Sequence, residues 1–335
     1  LIKEQLRAVP EHGMGYGLLR YLNSATASQL RELSPAQLGF NYLGRFAARS
    51  GADWEPAGEA ALLGGGDPAM ALVHALEVNA LTQDQLSGAR LVARWTFAPR
   101  LIGEAQVRDL AERWFAVLAA LARYARQPSA GGRTPSDLAL MSLTQSEIEE
   151  LERCYPEIED ILPLSPLQEG LLFHSLYERQ GQDVYTVQLE LSLAGPLEEL
   201  RLKRAAQALL ARHASLRAAF RHEQLSQPVQ VIVPQVAVPW RSLDVCALEQ
   251  AERAQAIAGL LEEERAGRFD VAAPPLIRFA LIRLAAADCR LVLTNHHLVL
   301  DGWSMPVLVR ELLTLYGGGG EAAGLGRVTP YRDYL

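Results

Sequence analysis

The sequence predicts an α/β protein, a mixed sheet layered with helices, divided into two parts by a linker. Three observations lead there. In the second half, apolar residues switch repeatedly between a two-residue and a 3.6-residue period, which favours strands alternating with helices. Near the middle, Gln127-Pro128-Ser129-Ala130-Gly131-Gly132-Arg133-Thr134-Pro135-Ser136 is a dense run of turn formers. Finally, 335 residues with 49% hydrophobic and 21% charged side chains can fill more than one core.

Taken in order, residues 1–8 read as the end of a helix broken by Pro10 and by glycines 13, 15 and 17. Phe40 to Gly44 is strand-like. Residues 71–80 and 91–97 read as two strands, with a turn signal at Ser87-Gly88 between them. Residues 105–126 form an amphipathic helix with Val107, Leu110, Trp114, Val117, Leu118 and Leu121 on one face. After the turn-rich run comes an acidic helix over 145–154. Helices are then predicted over 166–178, 197–212, 247–266 and 305–316. Strands fall at 184–193, 217–221, 229–233, 276–285 and 289–295. The expected division is 1–126, a linker over 127–158, and 159–335. Glu262-Glu263-Glu264-Arg265 reads as a solvated helix face.

Several function classes lose support. A net charge of −7 offers no basic footprint for nucleic acid. Cys154, Cys246 and Cys289 have neither disulfide nor metal-ligand spacing, so no metal is expected and a reducing, cytoplasmic setting fits. No apolar run reaches the length of a membrane span. Gly64-Gly65-Gly66 lacks the Lys-Ser/Thr of a phosphate loop. The chain opens at Leu1 inside a helix-like segment and is expected to be a fragment.

The densest chemistry is His296-His297-Leu298-Val299-Leu300-Asp301-Gly302-Trp303-Ser304, set between the apolar run 291–295 and the 305–316 helix. On a strand-to-loop turn, this spacing places the His297 imidazole at the mouth of a crevice and a carboxylate, Asp301, behind it. A buried Asp301 would need a cationic partner, because an unpaired buried charge is very costly.

This HHxxxDGWS string resembles the active-site motif of nonribosomal peptide synthetase condensation domains. Leu164-Ser165-Pro166-Leu167-Gln168-Glu169-Gly170-Leu171-Leu172-Phe173-His174 is similar to the motif that opens such a domain. Arg212-His213-Ala214-Ser215-Leu216-Arg217-Ala218-Ala219-Phe220 is similar to RHxxLRxxF. Phe269-Asp270 with Pro275-Leu276, and the closing Tyr331-Arg332-Asp333-Tyr334-Leu335, resemble two later motifs. The first half resembles an epimerization domain: residues 10–17 are similar to PxxGxGYG, with Gly15 and Tyr16, and Phe40-Asn41-Tyr42-Leu43-Gly44-Arg45 matches FNYLGR. The resemblance thus implies the C-terminal part of an epimerization domain, a linker, and the N-terminal lobe of a condensation domain. The implied fold is that of chloramphenicol-acetyltransferase-like lobes.

It further implies amide bond formation between thioesters carried on phosphopantetheine arms, with no cofactor bound directly. Peptidyl carrier domains on either side and an adjacent adenylation domain are the implied partners. His297 is implied as general base or positioning partner, with His296 packed inward and Asp301 paired to Arg217. Gly302 would let an arm pass, and Trp303, Ser304 and His174 are candidate channel residues. Domain order implies a D-configured donor. Because the epimerization half lacks its own HHxxxDG and glutamate, and the second condensation lobe is absent, little turnover is expected from the chain as it stands. Two other readings are open at this level: a freestanding coenzyme A-dependent acyltransferase of the same fold, and a non-catalytic module that docks carrier proteins.

Overall fold

Strands that alternate buried side chains on both faces need a layer on each side, and the second half of the chain supplies them. The computed structural model describes residues 2–46, 72–85, 88–127, 130–177, 183–322 and 324–335. Gly64-Gly65-Gly66 lies outside them. The chain forms two compact units, Leu1–Gly131 and Gly132–Leu335.

In the first unit the helices are α1 (Ile2–Arg7), α2 (Met14–Tyr21), α3 (Ser24–Glu32) and α4 (Glu104–Tyr124), and the strands β1 (Leu38–Phe46), β2 (Leu76–Gln85) and β3 (Gly88–Phe97). The sheet order is β1-β2-β3, with β1 parallel to β2 and β2 antiparallel to β3. Gly39 is required here, since a Cβ would stand 2.4 Å from the His74 ring. Only Glu11, His12 and Gly13 take positive φ in the break after α1. Gly15 and Gly17, expected to prolong that break, instead lie within α2, where two glycines cost helix propensity but nothing steric. On α4 only Val107 of the expected apolar face is buried; Leu110, Val117 and Leu121 are exposed.

The second unit holds helices α5 (Gln145–Cys154), α6 (Pro166–Tyr177), α7 (Glu199–Arg212), α8 (Gln250–Ala266) and α9 (Ser304–Gly317). Its strands are β4 (Asp160–Pro163), β5 (Thr186–Ala194), β6 (Ala218–Arg221), β7 (Val229–Ile232), β8 (Trp240–Asp244), β9 (Ile277–Ala285) and β10 (Asp288–His296). A four-stranded sheet runs β5-β10-β9-β8 and a three-stranded one β4-β7-β6. The first is covered on both faces. Ile277, Phe279, Leu281, Leu291 and Leu293 pack on α7 and α9, while Ala280, Ile282 and Val292 pack against Leu260 of α8.

The three-stranded sheet is sandwiched too. Leu162, Ala218, Phe220 and Ile232 join Leu172 of α6 and Leu298 on one face. The other face, Ile161, Ala219, Val229 and Val231, is covered by Leu138, Leu143, Ile148 and Leu151. Those four residues fall within the stretch expected as a linker. Residues 132–158 are therefore a built layer of the second unit, because they supply most of the apolar cover of that face, with Leu225 beside them. Glu264 also departs from expectation: it is 5% exposed and ion-paired to Arg241 and Arg278, both at 3.0 Å.

Candidate active site

The apolar run of β10 ends in a turn that cannot continue as strand, and the way its polar groups are satisfied fixes the site. His296 is fully buried at the last strand position. Its Nδ1 accepts from the Leu298 amide at 3.1 Å, and its Nε2 faces Asp183 Oδ2 at 3.3 Å. Asp183, 8% exposed, also accepts from the Ser175 hydroxyl (2.9 Å) and the Tyr185 amide (3.0 Å), with Arg268 at 3.6 Å. Burial works against the Asp183 carboxylate. The Tyr185 amide, the Ser175 hydroxyl, His296 and Arg268 together outweigh it and hold the carboxyl below its ordinary value. Burial pushes the His296 pKa down, opposed by that same carboxylate.

His297, the next residue, is half-buried. Its amide donates to the Tyr185 carbonyl at 2.9 Å, and its Nδ1 is buried with no hydrogen-bond partner among the described residues. Gln168 ties the motifs together. Its Nε2 donates to the Leu298 carbonyl (3.1 Å), and its Oε1 accepts from the Ser165 amide (3.0 Å) and the Tyr331 hydroxyl (3.2 Å). The turn that carries His296 and His297 is thus tied through Gln168 to Tyr331 near the end of the chain.

Asp301 departs from expectation. It is exposed, and Oδ1 accepts the Ser304 hydroxyl (2.6 Å) and amide (2.8 Å) at the start of α9. The Ser304 hydroxyl bond is the main reason its carboxyl stays below the ordinary value, partly countered by burial. Arg217 is not its partner. That guanidinium is buried, bonded to Glu159 at 2.6 Å, to the Leu210 carbonyl at 3.1 Å and to the Val233 carbonyl. The reason is local: the loop turns Asp301 outward to start a helix, and the carbonyls at 210 and 233 hold Arg217 in place.

Gly302 has neither a positive φ nor a crowded Cβ position, so nothing in the described residues demands glycine there. Trp303 is 89% exposed. A pocket of about 330 Å³ opens beside the loop, lined by His213, Leu216, Leu300, Asp301, Trp303 and Ser304 among others, but not by His297. His174 lies on the exposed side of α6 with its ring 6.3 Å from Tyr185. In the first unit, Gly15 and Tyr16 sit on α2, where the Tyr16 hydroxyl accepts from Arg20, and Asn41 and Tyr42 sit on β1, where Tyr42 meets the Thr82 hydroxyl at 2.9 Å. None of these four is buried.

Asp183, Ser175 and Arg268 were not singled out by sequence reasoning. Asp183 is 113 residues from His296 and sits in no motif, so spacing carried no signal for it. Among the described residues no cluster of three or more His, Cys, Asp or Glu could hold a metal ion, and no helix is long and apolar enough to cross a membrane.

The condensation-domain profile matches residues 158–335, and the chain belongs to that family. It is similar to a subunit of the linear gramicidin synthase of Brevibacillus parabrevis, 36% identical over 343 residues, covering 100% of this chain and 6% of that protein. Bacitracin synthase 3 of Bacillus licheniformis is 30% identical over 341 residues, covering 100% of this chain and 5% of that protein. Among solved structures, the first condensation domain of the CDA synthetase is 23% identical with a TM-score of 0.44, over 52% of this chain and 42% of that one. The chain therefore spans only 5–6% of the length of these two synthases.

Proposed function

We propose that the chain is part of a nonribosomal peptide synthetase and that its second unit forms a peptide bond between two carrier-bound thioesters at His297. The observation carrying this reading is that His297 leaves a fully buried strand end half-exposed, with its backbone clamped to Tyr185 and its neighbours tied down by His296 and Gln168. The two phosphopantetheine arms are tethers of the substrates, supplied by carrier domains.

The chemistry asks little of the base before attack. An α-amino group has a pKa of roughly 8, so a useful fraction is neutral near pH 7.5. The amine nitrogen attacks the donor thioester carbonyl, and the adduct's nitrogen becomes far more acidic. His297 takes that proton, the C–S bond breaks, and the departing thiolate takes the proton from the imidazole. Such general base catalysis typically contributes about 10²–10⁴-fold, and alignment of the two arms adds to it.

The first unit is read as the closing part of an epimerization domain. The residues 10–17 and 40–45 motifs support this; the family profile begins at 158, and the matches to the two synthases over 100% of this chain place the first unit in no named domain. From that order we infer a D-configured donor. The test is condensation between two loaded carrier proteins by the synthetase of which this chain is part. His297→Ala is expected to lower the rate about 100-fold or more, and a D-configured donor is expected to outpace its L epimer. An unchanged rate in the alanine variant rejects the role of His297, and an L preference rejects the donor assignment.

A further inference from the structure

We infer that Asp183 is a positioning residue for His297: it fixes which nitrogen of His296 carries the proton, and through it the turn that presents the His297 imidazole. This rests on the reading of His297 as the reacting group.

The hydrogen-bond directions make the case. The Leu298 amide can only donate, so the His296 Nδ1 it reaches at 3.1 Å must offer a lone pair. In a neutral ring the proton then sits on Nε2, pointing at Asp183 Oδ2. Among the described residues, every other group facing that carboxylate is also a donor: the Ser175 hydroxyl, the Tyr185 amide and the Arg268 guanidinium. Asp183 is thus an acceptor surrounded by donors.

The consequence reaches His297 by two short routes. Asp183 holds the Tyr185 amide, and the Tyr185 carbonyl in turn accepts the His297 amide. Asp183 also holds His296, whose other nitrogen accepts the Leu298 amide one residue beyond His297. Backbone on both sides of the reacting residue therefore depends on one carboxylate with 3% of its side chain exposed.

Asparagine at 183 nearly preserves shape and reverses one direction. Its carbonyl would keep the Tyr185 amide, placing an NH₂ against Nε2–H. Relief requires the His296 proton to move to Nδ1, where it confronts the Leu298 amide. The turn then loses a hydrogen bond whichever nitrogen is protonated.

The experiment records ¹⁵N–¹H correlations of the imidazoles in the 335-residue chain labelled at its seven histidines, with His296 assigned by substitution. We expect the Nε2–H form of His296 in the wild type and the Nδ1–H form in Asp183→Asn. In the condensation assay Asp183→Asn is expected to lower kcat about 10–100-fold with KM for the loaded carriers unchanged. A wild-type His296 protonated on Nδ1 overturns the proposal, as does an Asp183→Asn protein with unaltered kcat. Should Asp183→Asn fail to fold, the wild-type spectrum still decides the tautomer. Ser175→Ala, which removes one donor only, should then keep Nε2–H and lose less than about threefold in kcat; a switch to Nδ1–H in that variant also overturns it. If His297→Ala leaves condensation intact, the function reading fails while the tautomer result stands, so the two failures are separable.

Discussion

At position 217 one guanidinium holds three groups at once: the Glu159 carboxylate and the backbone carbonyls of Leu210 and Val233. Glu159 keeps 47% of its side chain exposed, so the ion pair itself is screened and contributes little. The buried carbonyls matter more, because an orphaned buried acceptor costs about 1–3 kcal/mol. Arg217→Ala is therefore expected to destabilise the second unit by roughly 2–4 kcal/mol, read from the urea midpoint. Asp301→Ala should cost only about 1 kcal/mol, the worth of a helix-start acceptor. Equal losses in the two variants would contradict these assignments. The RHxxLRxxF and HHxxxDG strings reveal that both residues belong to the same region, but not that they choose different partners. That choice depends on the direction of two carbonyls, and carbonyl direction has no signature in side-chain spacing. His297 is more legible, since an apolar strand running into a loop puts that imidazole at its edge, while the inward packing of His296 is implied by the family resemblance.

Helix α5 shows how a short, polar-looking segment becomes structural. Thr144 caps it: its amide donates to Glu147 at 2.7 Å and the Glu147 amide returns to the Thr144 hydroxyl at 3.3 Å. The same carboxylate accepts the Ser226 amide, fastening the helix to a distant loop. The Thr144 amide, followed by the Ser226 amide and the Thr144 hydroxyl, draws the Glu147 carboxyl from 4.5 down to about 2. A carboxyl lowered in the folded state stabilises fully above its unfolded value and loses that contribution as pH falls through its folded value. The window here runs from about 4.5 down to about 2. Glu147→Gln should thus flatten the stability-against-pH curve in that window, and Thr144→Ala should cost about 1 kcal/mol at neutral pH. Denaturant melts at pH 7, 4 and 3 check both. An unflattened acid limb in Glu147→Gln would show that another carboxylate dominates. The helix over 145–154 is legible as an acidic helix, but its Thr144 cap was not read from the sequence. The attachment of the helix is not legible either, because Ile148 and Leu151 alone read as a narrow apolar stripe that any surface could cover.

For the whole molecule, the alternation of strands and helices after residue 160 is read correctly to within a few residues, because both faces of the four-stranded sheet impose their period on the sequence. Two short edge strands escape: the four-residue β4, Asp160–Pro163, and the parallel β8, Trp240–Asp244, which is mostly uncovered on one side. What spacing conveys least is where the second unit begins. The turn-rich run at 127–136 suggests a linker, and the family profile starts at 158. Packing places the start near Gly132. Leu138, Leu143, Ile148 and Leu151 are each under 9% exposed and cover Ile161, Ala219, Val229 and Val231. Burying a Leu or Ile side chain stabilises by about 1.5–3 kcal/mol, so these four supply roughly 6–12 kcal/mol. A domain's net stability is only about 5–15 kcal/mol, so removing the layer should be decisive. A chain of residues 132–335 is expected to unfold cooperatively in urea with dispersed amide NMR signals. A chain of residues 158–335, though it contains the whole family match, is expected to lose cooperativity, bind hydrophobic dyes and aggregate. It exposes one face of the β4-β7-β6 sheet while Phe220 and Ile232 still need the other face held in register. Equal urea midpoints for the two chains would mean that residues 132–157 merely lie on the sheet, and the boundary would return to 158.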